Sequence, residues 1–309
     1  MPDAEAPSDL CSLPIADLHR HLDGSLRPST LAELAAQADR AIPADLKFFP
    51  GMGLDQALAR FAFTLSLLQE PAVVRRVASE ICEDARAEGV STLEIRFAPQ
   101  LHRGAGVEAV VDAALEGIAG RAGLVLCGLY GEPPGMLLDL VEAARARPGV
   151  VGLDLAGGPA PAHAFGLEDY AGAFHRAADL GLGRTVHAAE GRPPSEIRWA
   201  VERLLAQRIG HGTTLLEDNA VLDLVLKRGI VLEACPTSNW HTGVIPALAD
   251  HPLPRWLDLG VKACVCPDNT LLSDVTAREE LRRAAALPGM TPERVRQVID
   301  FGHQAAFVR

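Results

Sequence analysis

Eight short apolar runs punctuate this 309-residue chain, and sequence of helical period fills most of the gaps between them. The runs are 13–18 (LPIADL), 90–97 (VSTLEIRF), 124–129 (LVLCGL), 150–155 (VVGLDL), 184–187 (RTVH), 207–210 (QRIG), 229–234 (GIVLEA) and 261–266 (VKACVC). The stretches 72–87, 167–180, 195–205 and 220–227 repeat their apolar residues at helical spacing. Gly89, Gly181, Gly229 and Gly260 stand where helices tend to end. Near-continuous apolar strands separated by helices specify a parallel sheet covered on both faces. Eight such units predict an α/β fold, a (β/α)8 barrel. An open doubly wound sheet would carry a G-x-G-x-x-G turn after its first strand; here histidine-rich sequence follows instead. The stretch 27–87 is too long for one crossover helix, so extra helices are expected between strands one and two, laid over one mouth of the barrel. No linker, charge block or repeat divides the chain, and residues 1–309 read as a single domain.

Composition narrows the function. Twenty-nine Lys and Arg against 40 Asp and Glu give a net charge of −11, which argues against nucleic acid as the partner. No apolar run is long enough to span a bilayer. The opening MPDAEAPSDLCS lacks the basic and apolar parts of a secretory signal. Six cysteines in so long a chain do not make a disulfide scaffold. A reducing cytoplasm is the expectation.

Barrel enzymes keep their chemistry where the strands end. Strand one runs into Asp17-Leu18-His19-Arg20-His21-Leu22-Asp23, strand five into His187-Ala188-Ala189-Glu190, strand six into Gly210-His211-Gly212 and strand eight into Pro267-Asp268-Asn269. His19 and His21, two apart on a strand, point to one side. They read either as half of a metal site or as a polar strand end bonded to water. His187 and Asp268 can complete such a site, since strand eight adjoins strand one and strand five lies across the lumen. Three imidazoles and a carboxylate suit Zn²⁺. Glu190 reads either as a protonated general acid at the lumen mouth or as a first-turn acid of the next helix. His211, between glycines, fits a group that orients or deprotonates water, or a plain turn residue. Asp154-Leu155-Ala156-Gly157 offers no lysine to bridge two metals, which favours one. Cys264, Cys266 and Asp268 alternate, so the three are expected on one face, the cysteines as core residues or, failing that, as sulfur ligands. His241 is expected in a solvated loop, and His102, His163, His175, His251 and His303 receive no role.

Taken together, DLHRHLDGSLRP (17–28), LEIRFAP (93–99), GLDLAG (152–157), VHAAEG (186–191), RIGHG (208–212), CPTSNWHTG (235–243) and CPDN (266–269) resemble the motifs of the adenosine deaminase family of metal-dependent barrel hydrolases, in that family's order and over most of the chain. The resemblance implies that His19, His21, His187 and Asp268 hold one Zn²⁺ per chain. It implies that Glu190 protonates purine N1, that His211 positions the attacking water, and that Asp268 takes its proton. Gly157 would offer a backbone N–H to purine N3, Asp23 would contact the ribose hydroxyls, His21 would also touch the substrate, and Asn269 would donate to N7. The implied reaction is zinc-dependent hydrolytic deamination of a 6-aminopurine nucleoside, adenosine to inosine and ammonia. A purine nucleoside is the implied small-molecule partner. Free adenine or a modified adenine nucleoside is the alternative substrate, and a metal-binding barrel without catalysis is the alternative class. The chain departs from many members at Asn269 (a second acid), Gly158-Pro159 (acidic residues), Cys266-Pro267 (Asn-Thr or Asn-Ser) and Leu129-Tyr130-Gly131 (an arginine). These departures bear on the substrate and leave the metal residues intact.

Overall fold

The structure, a computed structural model, describes residues 13–160 and 162–308. The opening segment read for a leader lies outside them. Eight strands follow in order: β1 (Ile15–His21), β2 (Val90–Phe97), β3 (Gly123–Leu129), β4 (Val150–Ala156), β5 (Gly183–Ala188), β6 (Arg208–His211), β7 (Val231–Ala234) and β8 (Lys262–Val265). They form one parallel sheet in sequential order. A parallel bridge between Arg20 and Asp268 joins its two edges. There the His21 N–H donates to the Asp268 carbonyl at 2.9 Å, and the Asp268 N–H to the His19 carbonyl at 3.0 Å. The expected barrel is therefore present, and its seam is made by a residue past the end of β8.

Three helices occupy the long first connection: α1 (Pro28–Gln37), α2 (Leu54–Leu67) and α3 (Pro71–Ala87). α3 is the crossover helix. It starts on proline at its first position, where a missing N–H costs nothing, and buries Val74, Val77, Ala78, Ile81, Cys82 and Ala85 along one stripe. α1, α2 and the loop between them are the expected insertion. The remaining connections carry α4 (Val107–Ile118), α5 (Pro134–Arg145), α6 (Ala171–Asp179), α7 (Ser195–Glu202), α8 (Asn219–Arg228), α9 (Pro236–His241), α10 (Leu253–Asp258), α11 (Ala277–Ala285) and α12 (Pro292–Ala305). α8 shows both helix-end rules at once. The Asp218 carboxylate accepts the Ala220 and Val221 N–H groups, and Gly229 closes the helix at φ 63°.

The boundaries differ from expectation where charge is satisfied internally. β1 continues three residues further, through His21, because Arg20 is not a surface charge. It is buried, with Nε 2.6 Å from Asp17 and Nη2 2.8 Å from Glu88. The helix expected over 195–205 stops at Glu202, with Leu205 turned to φ 54°. Among the described residues, no single helix is long and apolar enough to cross a membrane. The five described cysteines are unpaired and buried.

The lumen is filled by ions as well as by apolar side chains. Arg208, the first residue of β6, pairs with Glu94 at 2.6 Å and with Glu233 at 2.7 Å. Arg96 pairs with Glu233 and Asp154, both at 2.8 Å. All five are fully buried. The Phe307 ring lies 3.6 Å from the Arg208 guanidinium, and the Val308 N–H donates to Glu94 at 3.0 Å, so residues 305–308 seal the amino-terminal end of the barrel.

Candidate active site

Above that ionic layer, β1, β5 and the turn after β8 bring four side chains together. His21 Nε2 lies 3.3 Å from Nε2 of both His19 and His187. Asp268 Oδ1 lies 3.4 Å from His21 Nε2 and 3.6 Å from His19 Nε2. Glycine at position 210 makes room for this convergence, since a Cβ there would sit 3.1 Å from His19 Cε1. Two donor groups can hold a metal ion: His19, His21 and His187, and His19, His211 and Asp268.

The ionic layer aims the imidazoles. His19 Nδ1 lies 2.7 Å from Glu233, and His187 Nδ1 3.1 Å from Asp154. A carboxylate on Nδ1 fixes the ring and leaves Nε2 to face the lumen. Burial, Arg96 and the neighbouring imidazoles hold His19 far below the usual histidine pKa. Burial, His187 and Arg96 do the same to His21. Burial also opposes charge on His187, but Asp154 against its Nδ1 outweighs this and lifts its pKa. Asp154 is itself held low: burial opposes ionisation, and His187 and Arg96 overcome it.

Three strand exits carry non-glycine residues in the left-handed region: Ala189 at φ 55°, His211 at 65° and Asp268 at 63°. Each costs on the order of 1–2 kcal/mol, and each re-aims a side chain that regular pleating would misplace. At Asp268 this overturns the expected alternation. Cys264 and Cys266 pack with Ala16, Leu18, Val231 and Cys235 beneath Ala305 and Ala306, whereas Asp268 turns to the histidines.

Glu190 lies beyond β5, buried, in a turn held from outside. The Ala189 N–H donates to Glu196 at 2.8 Å, and Thr213 Oγ1 donates to the Ala189 carbonyl at 3.0 Å. The next helix, α7, starts only at Ser195, so Glu190 is not a first-turn acid. Thr242 Oγ1 donates to Glu190 Oε1 at 3.3 Å, and His211 Nε2 is 3.9 Å from Oε2. Burial pushes the His211 pKa down to about 3.

The cavity above these groups has a volume of about 230 Å³. His21, Asp23, Gly157, His187, Glu190, His211, Asp268 and Asn269 all line it. Its roof is the insertion, with Phe48 from the loop and Leu58, Phe61 and Leu65 from α2. Gly157 turns at φ 79° with nothing near its missing side chain. Asp23 Oδ1 and Asn269 Oδ1 are buried without a hydrogen-bond partner. No lysine or arginine lines the cavity among the described residues.

The sequence profile of the adenosine deaminase family matches residues 14–309. The chain belongs to the adenosine deaminase family. An adenosine deaminase of Serratia proteamaculans is 34% identical over 317 residues, covering 96% of this chain and 94% of that protein. A probable adenosine deaminase of Dictyostelium discoideum is also 34% identical over 96% of this chain, which spans 40% of that longer protein. Among solved structures, an adenine deaminase from Arthrobacter aurescens superposes with a TM-score of 0.87 at 24% identity, covering 96% of this chain and 94% of that one. A zinc-bound amidohydrolase from Burkholderia ambifaria gives 0.84 at 24% identity, over 97% and 87%. These two likenesses establish that this family member shares their fold.

Several residues of the site escaped the sequence reading. Asp154 was weighed only as a position lacking lysine, yet it holds His187. Glu233, Arg96 and Arg208 drew no attention. The signal was present: a barrel strand is covered by helices, so a charge inside VLEA, EIRF or QRIG has only the lumen and a partner ion to go to. His241 is not solvated but buried in α9, with its ring 6.4 Å from Phe48. His251, given no role, is buried and joined to His211 through Asn239.

Proposed function

We propose that this chain hydrolyses adenosine to inosine and ammonia, with one Zn²⁺ held by His19, His21, His187 and Asp268. The observation that carries the reading is the convergence of these four donors beside Glu190 and His211 on the floor of a cavity that, among the described residues, no lysine or arginine lines. The donor chemistry fits zinc. Tetrahedral bonds of about 2.0–2.1 Å require donor–donor edges of about 3.3–3.4 Å. The measured 3.3, 3.3, 3.4 and 3.6 Å lie close to that.

When bound, the ion supplies Lewis acidity that brings the pKa of a water from 15.7 towards about 7. The chain's own residues do the rest. Asp268 accepts the proton lost by the water that attacks purine C6. Glu190 delivers a proton to N1, so negative charge does not accumulate on the ring. His211 steadies the attacking oxygen. The proton held by Asp268 then passes to N6, the C6–N6 bond breaks and ammonia leaves, and loss of the remaining hydroxyl proton, which restores Glu190, gives the 6-oxo purine. The Gly157 N–H and the Asn269 amide serve as donors to N3 and N7.

Two features support a nucleoside over free adenine or a nucleotide. The unpartnered Asp23 Oδ1 is an acceptor for a sugar hydroxyl. A phosphate would enter a cavity where, among the described residues, no lysine or arginine side chain could compensate it. The acidic charge and unpaired cysteines accord with a cytoplasmic enzyme. The test is a panel of adenosine, adenine, N6-methyladenosine and adenosine monophosphate on zinc-loaded protein, read by ultraviolet absorbance and ammonia release. Adenosine is expected to lead in kcat/KM, and a leading monophosphate would overturn the assignment. Glu190→Gln should lower kcat by about 10²-fold or more with metal content unchanged.

A further inference from the structure

We propose that His251 and Asn239 are positioning residues that fix the proton of His211 on Nε2, so that His211 meets the cavity as a hydrogen-bond donor and not as a base. The catalytic consequence rests on the deaminase reading, whereas the place of the proton does not.

The argument runs inward from the backbone. The Leu253 N–H, at the start of α10, donates to His251 Nδ1 at 3.1 Å. A backbone amide can only donate, so His251 Nδ1 carries a lone pair and the single ring proton sits on Nε2. That Nε2 lies 3.3 Å from Asn239 Oδ1, which accepts its proton. The amide is thereby oriented, and its Nδ2 faces His211 Nδ1 at 3.1 Å. An amide nitrogen also only donates, so His211 Nδ1 accepts and its proton is on Nε2. Every link is buried: Asn239 and His211 wholly, and His251 with its ring edge against Trp256 at 5.4 Å. Water is thus kept from competing for either end of the amide. No hydroxyl, which could reverse its role, interrupts the chain.

Two consequences follow. A nitrogen that bears a proton cannot ligate a metal, so the group of His19, His211 and Asp268 is not the metal site. The group of His19, His21 and His187, with Asp268 in reach, remains. Nor can a protonated Nε2 accept the proton of the attacking water, which leaves Asp268 for that step. The His211 N–H then stabilises the negative oxygen as it develops at C6.

Nitrogen-15 NMR of histidine-labelled, zinc-loaded protein reads the tautomer directly. The His211 resonances should show a protonated Nε2 and a bare Nδ1, and a proton on Nδ1 would overturn the proposal. Because this readout needs no turnover, it stands even if adenosine proves not to be the substrate. Asn239→Asp puts an acceptor opposite His211 Nδ1. It should move the proton there and lower kcat by about 10²-fold or more, with KM and metal content changed less than about threefold. His251→Phe should release the amide and lower kcat, while His251→Gln, whose amide both accepts from Leu253 and donates to Asn239, should recover most of the loss. Equal losses in the Phe and Gln variants would overturn the relay. If Asn239→Asp does not fold, the wild-type spectrum alone decides.

Discussion

The two halves of the barrel lumen handle buried polarity in opposite ways. In the amino-terminal half, Arg96 and Arg208 lock Glu94, Glu233 and Asp154 into a network in which every charge has a countercharge within 2.8 Å. In the carboxyl-terminal half, three imidazoles crowd together, three non-glycine residues take left-handed backbone, and two side-chain oxygens lack partners. The charges of the lower half are all paired without a ligand, although Arg96 Nε and Arg208 Nε make no hydrogen bond, whereas the upper half leaves two oxygens open to one. The contrast teaches a division of labour. The satisfied layer fixes geometry, and the unsatisfied layer keeps its donors available for chemistry. Glu233 and Asp154 connect the two: Glu233 has each oxygen on an arginine and Asp154 has one, and each also meets a lumen histidine.

The largest effect should come from removing an upper donor. His21→Ala is expected to lower kcat/KM by about 10⁴-fold, as loss of the metal requires, while the melting temperature of metal-free protein stays within about 3 °C, since His21 holds no ion pair in the lower network. Calorimetry on chelated protein checks this. A large fall in melting temperature would erase the contrast. Next comes the lower layer. Arg208→Met leaves Glu94 without its countercharge and should cost about 3–5 kcal/mol in urea unfolding, with the folded fraction keeping its metal. A stability loss under 1 kcal/mol would show that the network is dispensable.

A smaller effect sharpens the comparison through two fully buried glutamates. Burial alone would raise Glu233, but Arg96 and Arg208 more than offset it and hold it ionised. Glu280 on α11 accepts from the Thr237 N–H at 2.8 Å and from the Thr237 hydroxyl; burial pushes it up to about 7, against the weaker opposing pull of Thr237 and Arg283. Its folded pKa lies above the unfolded value of 4.5. The protonated folded form is therefore favoured, and stability falls as pH rises from about 4.5 to 7. The full loss, about 3 kcal/mol, is present above pH 7. Urea titrations of wild type and Glu280→Gln at pH 5 and pH 8 check the sign. Between pH 5 and pH 8 the wild type should lose about 2.5 kcal/mol relative to the variant, the rest of the loss lying below pH 5.

The fold was legible because the strands announce themselves twice, by apolar runs and by the polar residues at their exits. His19, His21, His187 and Asp268 could be grouped because barrel topology places their exits at one mouth. What escaped was whatever depends on side chains meeting across the lumen. Nothing in VLEA shows that Glu233 reaches His19. Nothing in SNWHTG shows that Asn239 stands between two histidines. The turn of Asp268 away from Cys266 depends on a positive φ that an aspartate does not advertise. Glu190 was left between two readings because the start of α7 could not be fixed to within five residues.

The hydrogen bonds that close the ring between β1 and β8 belong to His19, His21 and Asp268, the same residues proposed to hold the metal. An ion there would act as a rivet joining the first stave of the barrel to the last. Occupancy and circular closure would then be one event, and a stripped enzyme would loosen first along that single line.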